Sequence, residues 1–200
     1  MPVARVWMQQ ICEALLYIHE RGFVHRDVKP ENILLHDGEI RLCDFGLACA
    51  AGGACAGKAP GTAPYKAPET WSAHVVSAAQ DVWSLGIVLY AILFADLPWE
   101  AAVETDADYM RYVGSGLLGS SLGTIMLSKH MFSLLRRMLA PNPADRCTIA
   151  EVHEFFSVLR PWFSSDTLDQ DDSENKAIGQ KHAGVSMGRK VELCLPQLVC

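Results

Sequence analysis

Apolar side chains recur at Val3, Trp7, Ile11, Ala14, Leu15 and Ile18, the three-to-four spacing of a helix with one buried face. Gly22 follows and suits a helix stop. Beyond a polar turn the period changes. Ile33–Leu35 and Ile40–Cys43 are short strand-like runs, and Asp37-Gly38 between them is a tight-hairpin dipeptide. Residues 47–64 are rich in Gly, Ala and Pro and read as a loop, with a short helix starting near Ala67. Residues 79–95 are the most continuously apolar and predict a helix at the centre of the core. Residues 128–139 and 147–159 predict two amphipathic helices separated by Pro141-Asn142-Pro143. Residues 100–125 follow no single period, and no internal repeat is present.

Composition narrows the picture. Half of the 200 residues are hydrophobic and a fifth are charged, as in ordinary globular domains. The 17 basic and 23 acidic residues leave a net charge of −6 with no basic block, which argues against nucleic acid or an anionic membrane as a partner. The longest apolar stretch, Trp83–Ala95, contains Ser84 and is too short to span a bilayer. The first ten residues lack the basic start and apolar core of a signal peptide. From Ser164 the chain turns acidic and polar, so residues 1–163 are expected to fold and 164–200 to form a disordered tail. None of the seven cysteines forms a C-x-x-C pair. They read as free thiols of a cytoplasmic or nuclear protein rather than as metal ligands.

The polar turn carries the chemistry. His25-Arg26-Asp27 is followed by Lys29, Glu31 and Asn32, and Asp44-Phe45-Gly46 begins twelve residues past Asn32. Transfer of a phosphoryl group needs a carboxylate beside the attacking hydroxyl, cationic help for the phosphates and oxygen ligands for a divalent metal. Further along stand Gly61-Thr62-Ala63-Pro64-Tyr65-Lys66-Ala67-Pro68-Glu69, then Asp81 at the head of the apolar helix, then Arg146. Singly each is an ordinary turn, cap or surface charge; five in order are not.

In this order the motifs closely resemble the eukaryotic protein kinase family, of Ser/Thr type, and its calcium/calmodulin-dependent, checkpoint-kinase-like and AMP-activated-kinase-like members in particular. The resemblance implies a mainly α fold, a kinase C-terminal lobe with a short β-hairpin near the catalytic loop. It implies ATP-dependent phosphorylation of protein Ser/Thr hydroxyls. Asp27 would be the catalytic base, with Lys29, Asn32 and Thr62 beside it. Lys29, Glu31, Asn32, Leu34 and Asp44 would face ATP, and Asn32 and Asp44 would hold Mg2+. Asp81 would accept backbone N–H groups of the catalytic loop, and Arg146 would pair with Glu69. Partners implied are ATP, a protein substrate and a regulatory protein.

Three departures from the family pattern matter. No glycine-rich loop or V-A-I-K lysine precedes Asp27, so the N-terminal β lobe is expected to be absent and this polypeptide alone to have little activity. Residues 47–60 contain no Ser, Thr, Tyr, Asp or Glu, so Arg26 has no phosphorylatable partner in that stretch. Cys43 precedes Asp44 and reads as a small buried filler in preference to a reactive thiol, which would need a lowered pKa. Gly114–Gly119 fits G-x-G-x-x-G but stands after the other motifs and reads as a connection between helices. The competing readings are a non-catalytic pseudokinase-like or truncated interaction module, and a small-molecule phosphotransferase; the latter does not call for Glu69 or Arg146.

Overall fold

The computed structural model describes residues 2–53, 61–72, 76–116, 118 and 126–164. Helix α1 spans Pro2–Glu20 and ends where Gly22, at φ 76°, donates its N–H to the His19 carbonyl (2.9 Å). Its buried stripe is Met8, Ile11, Cys12 and Leu15, while Val3 is 57% exposed. The predicted stripe therefore holds in its middle and fails at its first turn. That stripe lies against the last helix, α5 (Ile149–Ser157), where Arg5 donates to the Phe156 carbonyl at 3.0 Å.

Four short strands fall within residues 23–50: β1 (Phe23–Val24), β2 (Ile33–His36), β3 (Glu39–Leu42) and β4 (Cys49–Ala50). The β2–β3 hairpin turns through Asp37 and Gly38, both at positive φ, as a two-residue primed turn requires. Gln10 on α1 accepts the Ile40 N–H (3.0 Å) and pins the hairpin to the helix. The expectation of a single hairpin is corrected here. A second two-stranded sheet pairs Phe23 with Ala50 and Val24 with Cys49, inside a stretch that composition reads as loop. Two-residue strands carry no alternation, so only the distant pairing reveals them.

Helix α2 (Ala79–Phe94) is buried continuously from Gln80 to Ala91. It packs on α4 (Lys129–Met138) so closely that a Cβ on Gly86 would lie 2.8 Å from Leu139 Cδ2. The region that follows no period contains α3 (Ala107–Ser115). Asp106 caps it, accepting from the Asp108 and Tyr109 N–H groups and also from Glu100 and Ala101. Tyr109 and Tyr112 carry α3 onto Trp99, and Trp99 lies against Trp83 of α2. Gly114 lies within the last turn of this helix and Gly116 (φ 70°) caps it; Leu117 and Gly119 lie outside the described residues.

Ser128 caps α4, and Thr148 with Glu151 forms a capping box on α5. After α5 the chain returns: Trp162 packs on Phe156, and Leu127 bridges Phe163. Ser164 still donates to the Met126 carbonyl at 2.8 Å. The tail expected from there lies, after Ser164, outside the described residues. Among the described residues no helix is long and apolar enough to cross a membrane.

Candidate active site

The loop His25–Asn32 is held from below by one carboxylate. Asp81, with no solvent exposure, accepts the His25 N–H through Oδ2 and the Arg26 N–H through Oδ1, both at 2.8 Å. Its Oδ2 also meets His19 Nε2 of α1 at 2.8 Å. These bonds hold Arg26 at φ 72°, a conformation that costs a residue with a Cβ roughly 1 kcal/mol. His25 fixes the loop's other side. Its Nδ1 accepts the Asp27 N–H (3.3 Å), so Nε2 carries the proton and donates to the Cys43 carbonyl (3.0 Å). The His25 ring also meets Phe45 edge-on at 4.9 Å.

Asp27 stands at the centre, 7% exposed. Its Oδ1 accepts from the Thr62 N–H (3.1 Å) and hydroxyl (3.0 Å); its Oδ2 meets Asn32 Nδ2 (3.1 Å) and Lys29 Nζ (2.8 Å). Lys29 Nζ also reaches Thr62 Oγ1 at 2.8 Å, and Asn32 Nδ2 reaches the Asp27 carbonyl at 2.8 Å. Burial pushes the Asp27 carboxyl up, but hydrogen bonds from Lys29, Thr62 and Asn32 and the Lys29 charge outweigh it. The carboxyl lies below its ordinary value and is ionised near neutral pH. Thr62 can reach Asp27 because its neighbour is glycine. Gly61 sits at φ 105°, and a Cβ there would lie 2.9 Å from the Arg26 carbonyl.

Asp44 adjoins this cluster through Cys43, whose N–H donates to the Asn32 carbonyl (2.9 Å) and whose carbonyl receives His25. Asp44 is exposed, left-handed at φ 61°, and, among the described residues, bonded within its own turn, through Oδ1 to the Gly46 N–H (3.2 Å). Glu31 is exposed beside Tyr65, and Leu34 is 37% exposed on β2, opposite Arg41. Asp27, Lys29, Asn32 and Thr62 thus form one bonded cluster with Asp44 next to it. Glu31 and Leu34 make no recorded bond to that cluster.

Behind the site, Arg146 uses every donor. It grips both Glu69 oxygens at 2.6 Å and donates to the carbonyls of Ala79, Ala140 and Pro141. Ser84 of α2 donates to the Tyr65 carbonyl at 2.8 Å. His19 and Ser84 went unnoticed in the sequence, since neither lies in a motif that names a partner.

A protein-kinase-domain model matches residues 1–156. The chain belongs to the protein kinase family. This kinase is similar to CBL-interacting protein kinase 29 of Oryza sativa subsp. japonica, at 36% identity over 82% of the chain and 35% of that protein. It is similar to serine/threonine-protein kinase chk1 of Schizosaccharomyces pombe, at 35% over 82% of the chain and 33% of that protein. A third relative is probable serine/threonine-protein kinase MARK-C of Dictyostelium discoideum, at 36% over 82% of the chain and 20% of that protein. The chain thus spans about a third or less of the length of these relatives. The family match runs from residue 1 and four strands lie within residues 23–50. Together these overturn the expected fold class of a C-terminal lobe whose N-terminal β lobe is absent.

Burial and the neighbouring Asp44 push the Cys43 thiol up, which speaks against the reactive-thiol alternative. The free-thiol expectation changes at one position. Cys12, Cys43 and Cys147 are free, but Cys49 is disulfide-bonded. Among the described residues no group of three His, Cys, Asp or Glu side chains gathers as a metal site.

Proposed function

We propose that this kinase domain transfers the γ-phosphoryl group of ATP to Ser/Thr hydroxyls of proteins, with Asp27 as the base that orients the acceptor and takes its proton. The observation that carries this is the Asp27 carboxylate. It is ionised, nearly buried and surrounded by Lys29, Asn32 and Thr62 on a loop anchored to α2. In the free site four donors occupy the two Asp27 oxygens, about the full capacity of a carboxylate. An incoming hydroxyl therefore displaces one of them. Lys29 is the donor that can leave without leaving a buried group unpaired, because its ammonium then meets the phosphates instead. The neutral Asn32 and Thr62 bonds keep Asp27 oriented meanwhile.

The donor set fits magnesium. Asn32 donates both bonds through Nδ2, which turns its amide oxygen away from Asp27, and Asp44 presents a carboxylate to solvent. Both are oxygen ligands of the kind this hard ion takes. When bound, the ion neutralises phosphate charge. Glu31 and Leu34 are assigned to ATP contact on the family resemblance. The test is phosphate transfer from labelled ATP to a Ser/Thr protein substrate with Mg2+, comparing the chain with Asp27→Asn. Transfer abolished by that change supports the reading; transfer of equal rate in both proteins removes it. A non-catalytic interaction module is disfavoured because no polar residue of the Asp27 cluster is replaced or turned away.

A further inference from the structure

Outside the candidate active site, a cleft of about 290 Å³ opens between α4 and α5. Helix α4 lines it with His130, Ser133 and Arg137, one helix face by their spacing, and α5 lines it with Glu154 and Phe155. Arg160, just past α5, joins them with its guanidinium 5.4 Å from the centre of the Phe155 ring. Small-molecule sites are mostly apolar. Here only Phe155 and the already buried Leu134 are apolar, so the lining suits a polar segment of chain better. Its charges are unevenly used. Arg137 is committed to Glu151, which also caps α5. The exposed His130 and Arg160 have no acidic partner among the described residues. Helix α4 carries Lys129, His130, Arg136 and Arg137 and no acidic residue, and the positive end of its dipole lies at Lys129 and His130.

The chain that follows has the opposite sign. Ser128, the cap of α4, donates its hydroxyl to the Pro161 carbonyl (2.7 Å) and its N–H to the Trp162 carbonyl (2.9 Å), and Ser164 donates to Met126. The last described residues therefore run beside the start of α4. Past them the sequence carries Asp166, Asp169, Asp171, Asp172 and Glu174, with no basic residue before Lys176. Asp171 stands seven positions beyond Ser164, up to about 23 Å of extended chain. The face from His130 to Arg137 is only about 10 Å long. The acidic run is thus long enough to cover the cleft even after reversing direction. A segment tethered this closely is present at roughly millimolar effective concentration, so contacts that are individually weak suffice to hold it.

We propose that the acidic segment Asp166–Glu174 docks in the α4–α5 cleft of its own chain, its carboxylates meeting His130, Arg160 and the first turn of α4. Glu154, without a cationic partner among the described residues, opposes that attraction and limits it. The docking does not depend on the catalytic reading, since none of the Asp27 cluster lines the cleft. An acidic segment of another protein would reach this face only by displacing the tail.

The experiment is zero-length carbodiimide coupling, which joins a carboxylate to an amine it touches, on the full 200-residue chain at low ionic strength. Peptide mass spectrometry of the monomer fraction reads which carboxylates join Lys129. Expected is Lys129 joined to Asp166–Glu174, with the yield collapsing in about 1 M salt, where screening acts within about 3 Å. Arg160→Met should lower the yield about two- to fivefold, the size of one exposed ion pair, and Glu154→Arg should raise it by a similar factor. A loss of fold would not move the two variants in opposite directions. Lys129 joined to no tail carboxylate, or a yield that neither variant changes, overturns the docking. In a mixture of isotope-labelled and unlabelled chains, links of uniform label are expected; links of mixed label make the occupant a second copy and overturn it. A tail that stays uncoupled while an added polyglutamate peptide joins Lys129 makes the cleft a site for an acidic partner and overturns it as well.

Discussion

Asp27 and Asp44 are both carboxylates of the candidate site, yet their surroundings differ. Asp27 is almost buried, receives four donors and lies on a loop tied to the core helix α2. Asp44 is exposed and accepts one bond, from the second residue of its own turn. On the proposed reading, one half of the site is finished by folding, and the other is left for ligands to organise. A preorganised carboxylate costs no rearrangement at the moment of reaction, whereas an unsatisfied exposed one is free to take a metal.

The largest expected break in this contrast is Asp27→Asn. It keeps the volume but cannot take a proton, and transfer should fall by roughly 10²–10⁴-fold, read as initial rate at saturating ATP and Mg2+. Next comes Asp81→Ala, which strands the His25 and Arg26 amides and His19 in a dry site. Loss of such a buried partner costs about 3–5 kcal/mol, measured by denaturant unfolding. Arg146→Lys should cost less, on the order of 2 kcal/mol, because an ammonium cannot hold both Glu69 oxygens and three carbonyls.

A smaller effect reads the Asp27 surroundings by pH. The folded Asp27 pKa lies below its ordinary value, so its contribution to stability is complete above about pH 4, the unfolded value, and is lost as pH falls through the folded one. Lys29→Met removes a donor and a charge, which raises the folded pKa and starts that loss at higher pH. A carboxyl-detected NMR titration of Asp27 should show the upward displacement, and an unmoved titration would contradict the Lys29 pairing. The smallest stability effect belongs to Asp44→Asn. Away from the buried network it should change unfolding free energy by no more than about 0.5 kcal/mol, while weakening Mg2+ binding in calorimetry.

What could be read from sequence divides along the same line as burial. Helices α1, α2, α4 and α5 announce themselves because each has a long apolar face or a clear cap and break. Helix α3 does not, since only Tyr109 and Tyr112 of its nine residues are buried; its real signals are Asp106 before it and Gly116 after it. Strands β1 and β4 escape because a two-residue pairing between residues 23–24 and 49–50 leaves no local pattern. In the candidate site, the motif order singles out Asp27, Lys29, Asn32, Asp44 and Thr62; the structure bonds Asp27, Lys29, Asn32 and Thr62 to one another and sets Asp44 beside them through Cys43. The motif order did not reveal His19 on Asp81, nor that Arg146 also serves three carbonyls, because backbone acceptors carry no residue identity.

The left-handed Arg26 has a consequence for how the chain reaches its native state. Its unfavourable backbone is held by an acceptor 55 positions away, so the loop cannot settle before α2 arrives beside it. Closure over such a span comes at an entropic disadvantage that local segments do not face. Refolding should show the α1 helix signal ahead of any protection of the Arg26 amide against hydrogen exchange, with the His25–Asn32 loop among the last parts to lock.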